Sequence, residues 1–195
     1  YGPTRVLAWF GKAPAMDEDD LPLASPPDGS VGERLRDAGI VVPCADDEDV
    51  CLDAGFRATW RRRIEQCRDD RTARERLAAI LGVDPAALSL TADGEFAVTY
   101  DGAPIGQWPS RGAFLADLAA EQTLGEWLPA WDAFDDRERT ELLVRLRAFL
   151  DVCPACDTDL DVNADRVSSC CGADLERVSI DCPECGTVFS GSHQD

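Results

Sequence analysis

The sequence predicts an α+β protein: a helical domain with a small antiparallel β-meander, followed by a C-terminal metal module. Three observations carry that prediction. Between residues 54 and 68, Phe56, Trp60, Ile64 and Cys67 recur at the spacing of an inward helical stripe. Between residues 88 and 108, the runs LSLT, EFAVTY and APIGQW are separated by Asp93-Gly94 and Asp101-Gly102, the turn chemistry of antiparallel hairpins. After residue 150, CPAC (Cys153 to Cys156) and CPECG (Cys182 to Gly186) set two cysteine pairs at metal-ligand spacing.

Each element has a local reason. Residues 1–29 combine an apolar start, Val6 to Phe10, with an acidic, proline-rich stretch that lacks periodicity and reads as a linker. Ser30 and Glu33 form a capping-box pattern for a short helix ending at Gly39, and residues 44–53 read as an acidic loop. The helix of residues 54–68 follows. Thr72 and Glu75 then cap a second helix through Leu81, stopped by Gly82. Asp84-Pro85 offers a third start that turns β-like into the meander. Ser110 caps a helix to about Glu121, TLGEWLPAWDAF forms a bend, and a last helix from about Asp136 to Leu150 buries Leu142, Leu146, Phe149 and Leu150. This gives an α+β domain over residues 30–150 and a metal module over residues 151–195.

The charge balance is strongly acidic: 38 Asp and Glu against 19 Lys and Arg, a formal net charge of -19, with Lys12 the single lysine. This composition resembles that of haloarchaeal cytoplasmic proteins, in which surface carboxylates hold water and dense counterions screen their repulsion. The resemblance removes most of the weight that acidity would otherwise carry against nucleic-acid binding. Paired cysteines together with the absence of a secretory signal imply a reducing, cytoplasmic setting. A membrane anchor upstream of Tyr1 stays open as an alternative.

Residues 151–195 hold few large apolar side chains, and a structural zinc, at about 10–16 kcal/mol of apparent binding energy, is what folds such a segment. Each C-x-x-C turn aims two sulfurs at one ion, making Cys153, Cys156, Cys182 and Cys185 the ligands. Gly186 permits positive φ after the second pair, and Asp157 tolerates it after the first. Together CPAC and CPECG resemble a zinc ribbon, which implies zinc as the ion, with iron in a rubredoxin-like site as the alternative. RVSSCCGADLERVSI reads as a hairpin between the pairs. Adjacent strand residues point to opposite faces, so Cys170 and Cys171 do not both reach one ion. Packing or free thiols, an additional metal, and redox chemistry all stay open for them.

Residues 57–76 are the one net basic segment. Arg57, Arg61, Arg62 and Arg63 are candidates for binding a partner or nucleic acid, against the alternative that they pair with carboxylates of the same chain. Residues 72–81 and 84–90, followed by a hairpin, have a passing likeness to a winged helix-turn-helix. The five tryptophans read either as core or as a base-stacking surface. Catalytic groups are scarce. His193, the single histidine, lies in a polar tail, no phosphate-binding glycine loop is present, and four cysteine ligands leave no open coordination position. The expectation is a non-enzymatic zinc-binding interaction protein with a protein partner. The alternatives are a DNA-binding regulator and a thiol-based redox sensor using Cys170 or Cys171, together with Cys44 and Cys51.

Overall fold

The computed structural model describes residues 31–44, 50–92, 95–128, 131–168 and 174–190. The elements are α1 (Val31–Asp37), β1 (Val41–Pro43), β2 (Val50–Leu52), α2 (Ala54–Cys67), α3 (Asp70–Leu81), β3 (Leu88–Thr91), β4 (Phe96–Tyr100), β5 (Ala103–Trp108), α4 (Arg111–Trp127), α5 (Asp136–Leu146), β6 (Asp161–Ser168), β7 (Asp174–Asp181) and β8 (Val188–Ser190). Three antiparallel sheets result, ordered β1-β2, β3-β4-β5 and β6-β7-β8.

Helix α4 is the hub. Ala113, Phe114, Leu115, Ala116, Leu118, Ala119, Ala120 and Leu124 are all buried, so the helix is apolar around most of its circumference, as a core helix must be. It packs against α2, α3, α5, β5 and β8. The predicted stripe Phe56, Trp60, Ile64 and Cys67 faces this hub and is buried throughout. Phe114 stacks on Phe96 at 4.6 Å and meets Trp108 edge-on at 4.9 Å, joining the meander to the helices. The buried indoles find acceptors: Trp60 Nε1 donates to the Ala116 carbonyl, Trp108 Nε1 to Asp117, and Trp131 Nε1 to Glu121. Trp60, Trp108 and Trp131 are thus core residues rather than a stacking surface.

Several boundaries differ from expectation, each for a visible reason. Asp69, not Thr72, is the N-cap of α3, accepting from both the Thr72 backbone N–H and its hydroxyl, so the helix starts at Asp70. Helix α4 runs past Glu121 to Trp127 because its apolar face continues through Leu124. The final helix ends at Leu146 in a 3₁₀ turn over Arg147–Phe149, which leaves Phe149 half-buried. Residues 84–90 form a 3₁₀ turn, Pro85–Ala87, that passes directly into β3. A three-residue turn cannot serve as the reader helix of a winged helix-turn-helix.

The expected loop at residues 44–53 is instead bounded by a short hairpin. β1 pairs with β2, Val42 opposite Cys51, and a disulfide links Cys44 to Cys51 across a Cα separation of 5.2 Å. These two cysteines, read from the sequence as loop thiols, are therefore bonded to each other. Closing so short a loop is worth about 2–3 kcal/mol by chain entropy, so the Cys44→Ser, Cys51→Ser variant is expected to lose roughly that much in denaturant unfolding. An unchanged midpoint would show that the bridge constrains nothing.

The C-terminal module is not a detached appendage. Cys153, Ile180, Cys182 and Phe189 belong to the same buried cluster as the helices. Gly112 in the first turn of α4 is the point of closest approach: a Cβ there would stand 2.6 Å from Thr187 Cγ2 and 3.1 Å from the Phe189 ring. Gly112→Ala is therefore expected to cost about 1–3 kcal/mol through overpacking, more than the roughly 1 kcal/mol alanine gains in a helix interior. Denaturant unfolding of the metal-loaded variant reads the difference, and a stabilised variant would mean that the module does not seat there.

Candidate metal centre

The four cysteine sulfurs predicted as ligands converge. Cys153, Cys156, Cys182 and Cys185 place their Sγ atoms all within 4.8 Å of one another, with 3.6 Å from Cys153 to Cys185 and 3.4 Å from Cys156 to Cys182. A tetrahedral ion with metal–sulfur bonds near 2.3 Å requires sulfurs about 3.8 Å apart, so the cluster fits one four-coordinate ion.

The two turns that carry the sulfurs are built alike, and the sequence shows why: CPACDT and CPECGT share the pattern C-P-x-C-x-T. In each, the first cysteine N–H donates to the threonine carbonyl, at 2.8 Å for Cys153 to Thr158 and 2.9 Å for Cys182 to Thr187. In each, the residue after the second cysteine donates back to the first cysteine carbonyl, Asp157 at 3.0 Å and Gly186 at 2.9 Å. That closure needs a left-handed residue, and φ is 64° at Asp157 and 68° at Gly186. The threonine hydroxyls stand beside the outer sulfurs, 3.4 Å from Cys156 and 3.0 Å from Cys185. Thr158 and Thr187 were missed as site residues. The repeated six-residue pattern was the signal for them.

Burial divides the thiols unequally. Cys153 and Cys182 are buried, while Cys156 and Cys185 are exposed. Burial pushes the Cys153 thiol up to about 12, and burial also raises Cys182. Hydrogen bonding from Thr158 holds Cys156 down to about 6, favouring its thiolate. The centre thus combines a ready anionic ligand at the surface with protonated sulfurs beneath, which a metal ion must displace from their protons.

The arginines of α2 fix this centre in place. Arg61 donates to the Val152 carbonyl at 3.2 Å and to Asp157 at 3.1 Å, and Arg57 stands 3.7 Å from Asp151. Arg68 donates to the Pro154 carbonyl at 2.7 Å and forms a two-pronged pair with Asp157. The Arg68 bonds hold the Asp157 carboxyl below its ordinary range. Steps of four and seven residues return to one side of a 3.6-residue helix, so Arg57, Arg61 and Arg68 share a flank, and that flank meets the first cysteine turn. On the other side, the Ser110 hydroxyl donates to the Val188 carbonyl at 2.8 Å, and Arg147 Nη1 lies 3.5 Å from the Phe189 carbonyl. The metal module is held by both α2 and α4.

The other candidates sort as follows. Arg63 donates to Thr123 at 3.1 Å and to Glu126 at 2.5 Å, leaving Arg62 as the member of the quartet with neither a hydrogen bond nor an ion pair among the described residues. Cys170, Cys171 and His193 lie outside the described residues. Among the described residues no helix is long and apolar enough to cross a membrane.

Residues 30–148 match the family of unknown function (DUF8054) central domain, and residues 151–190 match the DUF8054 C-terminal domain. The chain belongs to the DUF8054 family. No curated protein and no solved structure matches it. In DUF8054 terms, the centre lies wholly within the C-terminal domain, while the arginines and Gly112 that receive it lie in the central domain.

Proposed function

We propose that this DUF8054 chain is a zinc-stabilised, non-enzymatic interaction protein of haloarchaeal type that presents its ribbon to a protein partner. The observation that carries the reading is the closed set of four thiols held against a folded domain. Cysteine fills every coordination position of a tetrahedral ion, which leaves none for a substrate or an activated water. Zinc suits the site because it asks of its ion only tetrahedral geometry. The free face of the ribbon is the tip of the second cysteine turn, where Pro183, Glu184 and Cys185 are exposed.

Elemental mass spectrometry of protein purified in high salt is expected to find one zinc per chain, and iron would overturn the assignment of the ion. For the partner, capture from lysate in native salt is compared between the parent chain and Glu184→Arg. Loss of a captured protein at undiminished zinc content supports the ribbon as the contact. Equal capture by both, or capture of nucleic acid alone, overturns it, the latter in favour of a regulator.

A further inference from the structure

A second cluster of arginines lies on the side of α2 away from the metal centre. Arg62, Arg63 and Gln66 of α2, Arg76 of α3, and Gln122 and Glu126 of α4 line one open depression of about 600 Å³. Three guanidinium groups against one carboxylate give it a net charge of +2 in a chain whose net charge is -19. Elsewhere the arginines largely meet carboxylates: Arg57, Arg61, Arg68, Arg71, Arg111, Arg139, Arg145 and Arg147 each have one within 4.0 Å.

The way these guanidinium groups are held sets them apart. Arg76 Nη1 donates to Gln122 Oε1 at 2.9 Å, and its Nη2 donates to Gln66 Oε1. Both partners are neutral amides, so they orient the cation without cancelling its charge. Arg63 is steadied by the Thr123 hydroxyl as well as by Glu126. Arg62 carries no hydrogen bond among the described residues, and its field helps Arg63 to hold Glu126 below its ordinary range. The site is therefore oriented in advance, with donors to spare.

We propose that this depression binds a phosphoryl dianion. Guanidinium forks match phosphate oxygens in pairs, and the charge of a phosphate monoester near neutrality matches the net +2 of the lining. Carboxylates carry one charge and two oxygens, too few for three converging arginines. At molar salt the Debye length is only ~3 Å, so distant steering is lost while direct, charge-assisted bonds persist. Such a site operates in concentrated salt without a broad basic surface. It is independent of the metal centre and of the partner proposed for the ribbon.

The test is ³¹P NMR titration of the metal-loaded full chain, in molar potassium chloride, with inorganic phosphate and with glucose 6-phosphate. Saturable binding is expected, weakened at least about tenfold by Arg62→Gln or Arg76→Gln, since a hydrogen bond to a charged group is worth about that much. Glu126→Gln removes the one carboxylate and is expected to tighten binding severalfold, a gain that misfolding cannot imitate. Arg71→Gln is the control, because Arg71 is exposed on α3 and paired with Glu75 outside the depression. Tighter binding of glucose 6-phosphate assigns the site to an ester, and tighter binding of phosphate assigns it to the free ion. Binding that does not saturate, that ignores Arg62 and Arg76, or that falls equally with Arg71→Gln overturns the proposal.

Discussion

Removing the metal ion is expected to unfold residues 151–190 outright and to destabilise the central domain with them. Among the described residues the ribbon contributes Ile180 and Phe189 as large buried apolar side chains, far too little to offset the ordering of its backbone. A structural zinc supplies about 10–16 kcal/mol in comparable small folds, as much as the usual net stability of a whole domain of about 5–15 kcal/mol. Because Thr187 and Phe189 cover α4 at Gly112, and Asp157 occupies Arg61 and Arg68 on α2, losing the ribbon uncovers core and strands two cations. None of the five tryptophans lies in residues 151–195 and four of them, Trp60, Trp108, Trp127 and Trp131, lie in the central domain, so their fluorescence reports that domain and not the ribbon. A chelator is expected to lower the denaturant midpoint read by tryptophan, and Cys182→Ser is expected to reproduce the effect. An unchanged midpoint would separate the two parts energetically. The pH dependence follows from the thiols. Without the ion the released cysteines carry ordinary thiol protons, which leave at about pH 8.5, so at neutral pH binding displaces protons and affinity falls as pH falls. A pH indicator in weak buffer measures that release.

Asp117→Ala is expected to cost about 3–5 kcal/mol, the usual penalty for stranding one member of a buried ion pair. Asp117 is 4% exposed and Arg147 8%. The carboxylate receives Arg147 Nε at 2.8 Å, Arg147 Nη2, and Trp108 Nε1 at 3.0 Å. Its loss removes the carboxylate from a buried guanidinium, whose remaining acceptor among the described residues is the Phe189 carbonyl, takes the Asp117 acceptor from the Trp108 indole, and slackens the grip on β8. The pair itself is not a large net source of stability, since burying two charges costs nearly what their attraction returns. The double variant Asp117→Leu, Arg147→Met is therefore expected to recover most of the loss. Equilibrium unfolding of the single and double variants checks this, and a double variant worse than the single would show that the charges themselves are needed.

What was legible in the sequence was whatever repeats over a short window. The stripe from Phe56 to Cys67, the glycine turns of the meander and the C-x-x-C pairs each declare themselves within a few residues. Asp157 was readable as a left-handed residue, because Asp is among the few that accept that backbone. What it binds there was not readable: Arg68 lies 89 residues away. The reason for a glycine at 112, the close approach of Thr187, is likewise visible only once the chain has folded. The β1–β2 hairpin was missed because three-residue strands are too short to show alternation. The arginine run looked like one patch, yet helix phase alone separates Arg57, Arg61 and Arg68 from Arg62 and Gln66.

The unequal burial of the four sulfurs gives metal exchange a direction. An ion seated among them would meet solvent only past Cys156 and Cys185, with Cys153 and Cys182 beneath it against the helices. A competing ligand can replace only the outer two sulfurs while the fold stays intact, and the inner two release their hold only when the ribbon lifts. Exchange should accordingly run in two stages, a fast partial displacement at the surface followed by a slow step as rare as the opening of the ribbon itself. Small thiols and bulky chelators would share the second rate and differ only in the first.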